Sequence, residues 1–144
     1  MNQPITIEAT VNAPIEKVWE AWNMPEHITK WAFASDDWMA SNATNDLRVG
    51  GNFSTRMEAK DKSAGFDFGG IYTVVEDKKT IEYNMAKEAN EVNSRHVKVV
   101  FESTPAGVKI TQTFDPENEN SIEMQRQGWQ AILNNFKKYV EASQ

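Results

Sequence analysis

From Ile5 to Val11 the chain reads ITIEATV, alternating apolar or β-branched side chains with polar ones, which predicts a first strand. The period then changes. In NAPIEKVWEAW, residues Ile15, Val18, Trp19 and Trp22 share one face of a helix, with Pro14 suited to its first position because no amide hydrogen is needed there. Asn23 and Glu26 have capping-box spacing, predicting a second short helix whose apolar contacts are Ile28 and Trp31. Residues 32–46, AFASDDWMASNATND, are mixed and turn-rich and read as a loop.

Six strand-like runs follow. LRV and NFSTRMEAK flank Gly50-Gly51, a hairpin signal, and Phe53, Thr55 and Met57 alternate with Ser54, Arg56 and Glu58. FDFGGIYTVVE is longer, and its Gly69-Gly70 pair predicts a bulge or bend. TIEYNM, RHVKVVFES and VKITQTF complete the set, with the polar stretch AKEANEVNS before RHVKVVFES. Short turns between successive strands predict an antiparallel meander, one face of which needs a cover.

The cover is the C-terminal stretch SIEMQRQGWQAILNNFKKYVEA. At ~100° per residue, Leu133, Phe136, Val140 and Ile122 fall within about 40° of Trp129, and Ile132 within about 60°. Gly128 and Tyr139 sit on a flank. A mid-helix glycine costs about 1 kcal/mol against alanine, so Gly128 makes room either for a neighbouring backbone or for a bound molecule. The acidic residues before this helix suit its positive N-terminus.

At 144 residues the chain is expected to form one domain, residues 1–144, able to bury roughly 70% of its unfolded surface. Net charge −6 and pI near 5.0 argue against nucleic-acid partners and against docking on an anionic membrane. No signal-peptide pattern opens the sequence and no run of ~18 apolar residues occurs, so a cytoplasmic location is expected. The absence of cysteine excludes disulfides and thiolate chemistry. Fifteen residues are aromatic, five of them Trp, against two leucines, Leu47 and Leu133. Such rings fill cores and also line apolar pockets.

Catalytic signatures are absent: no G-x-S-x-G, H-E-x-x-H, P-loop or dinucleotide fingerprint occurs. Asp115, Glu117 and Glu119 suggest a calcium loop, but Asn120 and Arg126 stand where it needs Gly and Glu. His27 is read as a surface residue near the mouth of any pocket. His96 is read as pointing outward, and neither has a neighbouring ligand in sequence, so no metal and no cofactor is expected. Asp36 and Asp37 read as solvated turn residues, and Arg56 as a surface ion-pair member. Gln112 shares the apolar side of its strand with Ile110 and Phe114. A buried amide needs a partner: a Tyr hydroxyl, a water or a ligand.

APIEKVWEAW, PEHITKW, DLRVGGNF, FDFGGIY, TIEY and GWQAILNNFKKYV occur in an order and spacing that resemble the Bet v 1/START-like (SRPBCC) superfamily. Within it, they resemble the homologues of the Hsp90 ATPase activator Aha1. The resemblance implies an α+β helix-grip fold, in which a curved antiparallel β-sheet wraps round the long C-terminal helix, with two short helices after the first strand. It also implies a small apolar or amphipathic ligand held between helix and sheet. Candidate wall residues for such a pocket are Trp31, Trp38, Phe53, Tyr72, Tyr83, Phe101, Gln112, Phe114, Trp129, Leu133 and Phe136. A binding module ranks first. A polyketide cyclase/dehydratase-like enzyme ranks second, with His27, the tyrosines and a few carboxylates as its only acids and bases. An Hsp90 partner ranks third. The family's co-chaperones carry an additional N-terminal domain that these 144 residues do not contain, so the name is not carried over as an activity.

Overall fold

The computed structural model describes residues 3–85, 95–117 and 120–143. The first strand, β1 (Ile5–Val11), is followed by helices α1 (Ile15–Asn23) and α2 (Pro25–Ile28). Six strands come next: β2 (Trp38–Asn45), β3 (Asn52–Ala59), β4 (Gly65–Glu76), β5 (Thr80–Met85), β6 (Arg95–Thr104) and β7 (Gly107–Phe114). The 21-residue helix α3 (Ile122–Ala142) closes the chain. The seven strands form one curved antiparallel sheet in the order β1-β7-β6-β5-β4-β3-β2. This is the α+β helix-grip arrangement.

Each strand between β3 and β7 meets its successor through a tight connection or register pairing, and alternation does the rest. On β7 the buried positions are Val108, Ile110, Gln112 and Phe114. On β6 they are Val97, Val99 and Phe101. Register aligns Phe114, Val97, Tyr83 and Tyr72 in one row across four strands of the concave face.

Several local expectations are corrected. Residues 38–45 form strand β2 rather than a loop. It pairs only with β3 and carries a register shift between Ala40 and Asn42, which breaks the alternation that marks a strand. Leu47-Arg48-Val49 is not a strand but part of the β2–β3 connection, with Gly50 at φ 84° near its end. The total of six strands after the helices holds because one missed strand offsets one misplaced one. Asn23 does not cap α2. It ends α1, and its Nδ2 donates to the Trp19 carbonyl at 3.0 Å, while Pro25 takes the first position of α2. Pro14 is the residue before α1 rather than its first residue.

The bulge in β4 falls between Tyr72 and Val74, not at the glycine pair. Gly69 and Gly70 serve a close approach instead. A Cβ on Gly69 would lie 2.3 Å from the Phe53 carbonyl oxygen, and one on Gly70 would lie 2.4 Å from that of Asn84. Only glycine lets β4 run this close to both neighbours, and it does so beside the candidate site. The connection read as AKEANEVNS, residues 86–94, lies outside the described residues.

Helix α3 is seated along the β1 edge of the sheet. Arg126 Nη1 donates to the Thr6 carbonyl at 2.9 Å, Gln130 Nε2 to Glu8 at 3.2 Å, and Lys137 Nζ to Thr10 at 2.8 Å. Alternate carbonyls of an edge strand are thereby satisfied by one helix face, which blocks pairing with another chain. The adjoining helix face, about 70° round the axis, buries Leu133, Phe136 and Val140. Ile122, placed on that stripe by its angle, is 43% exposed. The buried place in the first turns goes to Gln125, whose amide bonds the chain at Glu117 and Asn120.

Candidate functional site

The concave face is filled unevenly. At one end α1 delivers Trp19 and Trp22 and the turn after α2 delivers Trp31; these meet Phe101 and Phe136 edge to face at centroid distances from 4.8 to 5.5 Å, and Trp22 meets Trp31 tilted at 5.1 Å. The Trp31 indole N–H donates to the Ala21 carbonyl at 2.8 Å, locking the ring in place. This end is a packed core, with Trp22 and Trp31 at its boundary with the cleft. At the other end the N-terminal half of α3 stands over β3, β4 and β5, and a cleft of about 840 Å³ opens between them. That volume lies within the ~300–1,000 Å³ typical of small-molecule sites.

Seven of the eleven candidate wall residues line this cleft: Trp31, Phe53, Tyr72, Tyr83, Gln112, Trp129 and Leu133. Four do not. Phe114 lies beneath Trp129, stacked at 3.9 Å. Phe101 and Phe136 belong to the tryptophan cluster, and Trp38 sits on β2 against Phe66. The helical stripe is one surface in sequence but serves two neighbours in space: a cleft near Trp129 and α1 near Phe136.

The aromatic wall is braced. Phe53 stacks on Tyr72 at 5.2 Å and meets Tyr83 edge-on at 4.7 Å. Phe68 meets Trp129 edge-on at 5.7 Å. Gly128 is the gap in this wall: a Cβ there would have nothing within 4 Å. Close backbone packing therefore does not explain the glycine; it borders open space in the cleft.

Polar groups punctuate the apolar lining. The Tyr72 hydroxyl donates to Asn45 Oδ1 at 2.5 Å, and Asn45 Nδ2 donates in turn to the Asn23 carbonyl at 2.7 Å. This chain fastens β4 and β2 to the end of α1. Burial pushes the Tyr72 pKa above its ordinary 10.0, opposed by the Asn45 bond. Burial pushes Tyr83 up as well, with Tyr72 nearby adding to the rise. Both hydroxyls therefore stay protonated at neutral pH, as donors rather than bases. Gln112 is 7% exposed, faces the cleft, and makes no side-chain hydrogen bond among the described residues. The Tyr83 hydroxyl likewise has no side-chain partner among those residues, whereas the one fully buried side-chain polar atom left without a partner among them is Asn23 Oδ1, away from the cleft lining.

Sequence reading passed over Arg95, Asn45 and Phe68, all of which line the cleft. Arg95 was legible: it shares inward parity with Val97, Val99 and Phe101. Neither histidine lines the cleft. His27 Nδ1 bonds the Tyr139 hydroxyl at 2.6 Å, and its Nε2 lies 3.6 Å from Glu20. His96 bonds Asn84 at 2.9 Å and Glu82 at 2.8 Å. Arg56 pairs with Glu58 at 3.7 Å and Asp67 at 3.6 Å, and Asp36 and Asp37 are exposed. Among the described residues no group of three His, Asp or Glu could hold a metal, and no helix is long and apolar enough to cross a membrane.

Comparison with known proteins places this geometry in a family. The family model described as activator of Hsp90 ATPase homolog 1-like protein matches residues 12–141. The solution structure of an AHSA1-like protein from Aeromonas hydrophila is 45% identical over 98% of this chain and 94% of its own, with a TM-score of 0.88. A Cytophaga hutchinsonii protein is 48% identical over 97% of this chain and 93% of its own, with a TM-score of 0.79. A Nitrosomonas europaea protein shares the fold at 20% identity, covering 97% of this chain and 95% of its own, with a TM-score of 0.82. No curated protein matches the chain.

Proposed function

The chain belongs to the activator of Hsp90 ATPase homolog 1-like family of the SRPBCC superfamily, and from that premise we propose that it is a binding protein for a small, largely apolar molecule held between α3 and the sheet. The observation that carries this reading is Gln112. The residue is only 7% exposed and its side-chain amide makes no hydrogen bond among the described residues, yet its polar atoms are not sealed in the core: they reach the open space of the cleft, where water or a guest satisfies them. Leucine or valine in its place would present no polar group to that space. An amide that faces a roomy aromatic cleft instead suits a guest with an apolar body and a hydrogen-bonding group.

Binding is favoured over catalysis by the lining itself. General acid–base chemistry needs a group that changes protonation near the working pH. Both cleft tyrosines are pushed away from neutrality by burial, both histidines lie elsewhere, and the two lining carboxylates, Asp67 and Glu117, are engaged by Arg56 and the Asn120 amide. The cleft offers orientation and burial. A screen of lipids, polyketides and flavonoids, followed by Trp fluorescence and by NMR shifts, tests the reading. Binders are expected to perturb Gln112, Gly128 and Trp129 together. If no apolar molecule moves those signals, the proposal fails.

A further inference from the structure

Arg95 is the one cation among the described residues that line the cleft. It opens β6 opposite Met85 of β5, on the inward parity of Val97 and Val99. A charged side chain on that face is expensive unless it is paired or serves a guest. Its Nε donates to the Asp115 carbonyl at 2.9 Å, which anchors the guanidinium at one corner. It makes no ion pair among the described residues. The two acids lining the same cleft are engaged elsewhere: Asp67 lies 3.6 Å from Arg56, and Glu117 accepts the Asn120 amide at 2.7 Å. Tyr83 is the diagonal neighbour of Arg95 across the strand pair, lying opposite Val97 as Met85 lies opposite Arg95, and it too lines the cleft.

We infer that the cleft's guest is an amphiphile with a single anionic group, a carboxylate or sulfonate, which Arg95 receives while the apolar body lies along Phe53, Phe68 and Trp129. The inference rests on the binding reading above and adds the charge of the ligand to it. A guanidinium held at Nε keeps its remaining N–H groups for an anion that offers two acceptor oxygens side by side, the two-pronged geometry that arginine matches and lysine does not. Partial burial strengthens the pair relative to the same contact in water. The Tyr83 hydroxyl, kept neutral, supplies a further donor.

Two fluorescent probes with nearly the same aromatic body separate the charge from the cleft: anilinonaphthalene sulfonate and neutral phenylnaphthylamine. Each is titrated into the full chain, with NMR shifts at Gln112 and Trp129 reporting where it sits. The sulfonate is expected to bind about tenfold tighter or more, in line with the strength of charge-assisted hydrogen bonds. Arg95→Met should bring it close to the level of the neutral probe, whose own affinity should shift far less than the sulfonate's. Arg95→Lys, which keeps the charge and loses the fork, should retain part of the preference and guards against a folding defect in the first variant. Rising salt should weaken only the sulfonate. Equal affinities in the unmodified protein, unaltered by Arg95→Met, would overturn the anionic guest and leave the apolar cleft standing. Failure of both probes to shift Gln112 and Trp129 would remove the cleft reading and the inference together.

Discussion

Trp129 lies flat on Phe114, with ring centroids 3.9 Å apart and planes 9° from parallel. Phe114 is fully buried on β7, and Trp129 faces the cleft from α3, so this pair joins the sheet to the helix at the boundary between core and cleft. Phe68 braces the indole from the side. The wall of the candidate site is therefore held by the core beneath it rather than by the guest.

The stack should be measurable as a coupling. Phe114→Ala is expected to destabilise the fold by about 3–5 kcal/mol, as for other fully buried aromatic truncations. Trp129→Ala should cost less, because the indole is only half-buried. A double-mutant cycle by urea unfolding should return about 0.5–1.5 kcal/mol of interaction energy. Additive losses would mean that the two rings are neighbours without mutual support.

Gln112 sets function against stability. Gln112→Leu removes an amide that lacks a partner among the described residues and adds apolar surface at a site 7% exposed. Stability of the ligand-free protein should rise by less than about 1 kcal/mol, because the amide already reaches the open space of the cleft, while affinity for a guest that hydrogen-bonds there should fall. Thermal unfolding and a titration with any binder from the screen read the two effects separately. A loss of stability would show that the amide has a partner after all.

The two cleft tyrosines should respond differently to loss of the hydroxyl. Tyr72→Phe leaves Asn45 Oδ1 without its donor and loosens the link to Asn23, at a cost of about 1 kcal/mol. Tyr83→Phe removes a hydroxyl with no partner among the described residues and should leave neutral-pH stability nearly unchanged. Alkaline pH reverses the ranking of interest. Because the folded pKa of Tyr83 is raised above 10.0, its stabilisation is fully present below that value and is lost as pH climbs past it. Stability measured on either side of pH 10.0 should fall less steeply in Tyr83→Phe than in the unmodified protein. Equal slopes would place Tyr83 in contact with solvent.

Most of the architecture was legible because alternation and helical period are direct imprints of burial. Val108, Ile110 and Phe114 on β7, and Trp129, Leu133, Phe136 and Val140 on α3, follow those periods, with Ile122 in the first turn of α3 as the exception. Strand β2 was not legible. An edge strand with one neighbour needs little apolar surface, and the register shift after Ala40 scrambles what pattern it has. The division of the wall candidates was also hidden. Phe136 and Leu133 share a stripe, but Phe136 meets Trp22 and Trp31 because α1 and α2 arrive at its end of the sheet. No sequence period carries that encounter. Arg95 shares parity with Val97, but its charge and the polar run before it mask the start of the strand.

Gly128 separates the two uses a mid-helix glycine can have. Were it present to admit a neighbouring backbone, any side chain would clash, and Gly128→Ala would destabilise. A Cβ there meets nothing within 4 Å, so the alanine variant should instead gain up to about 1 kcal/mol from helix propensity alone. Gly128→Phe carries the argument further. Its ring would project into the cleft beside Trp129, and the open volume lets the protein accept it without disturbing the helix. Unfolding should remain cooperative with little change in midpoint, while phenylnaphthylamine binding should fall by about tenfold or more, equivalent to about 1.4 kcal/mol. Retained binding in a well-folded Gly128→Phe variant would place the guest away from α3. A clash severe enough to unfold that variant, with Gly128→Ala also destabilised, would return the glycine to a packing role.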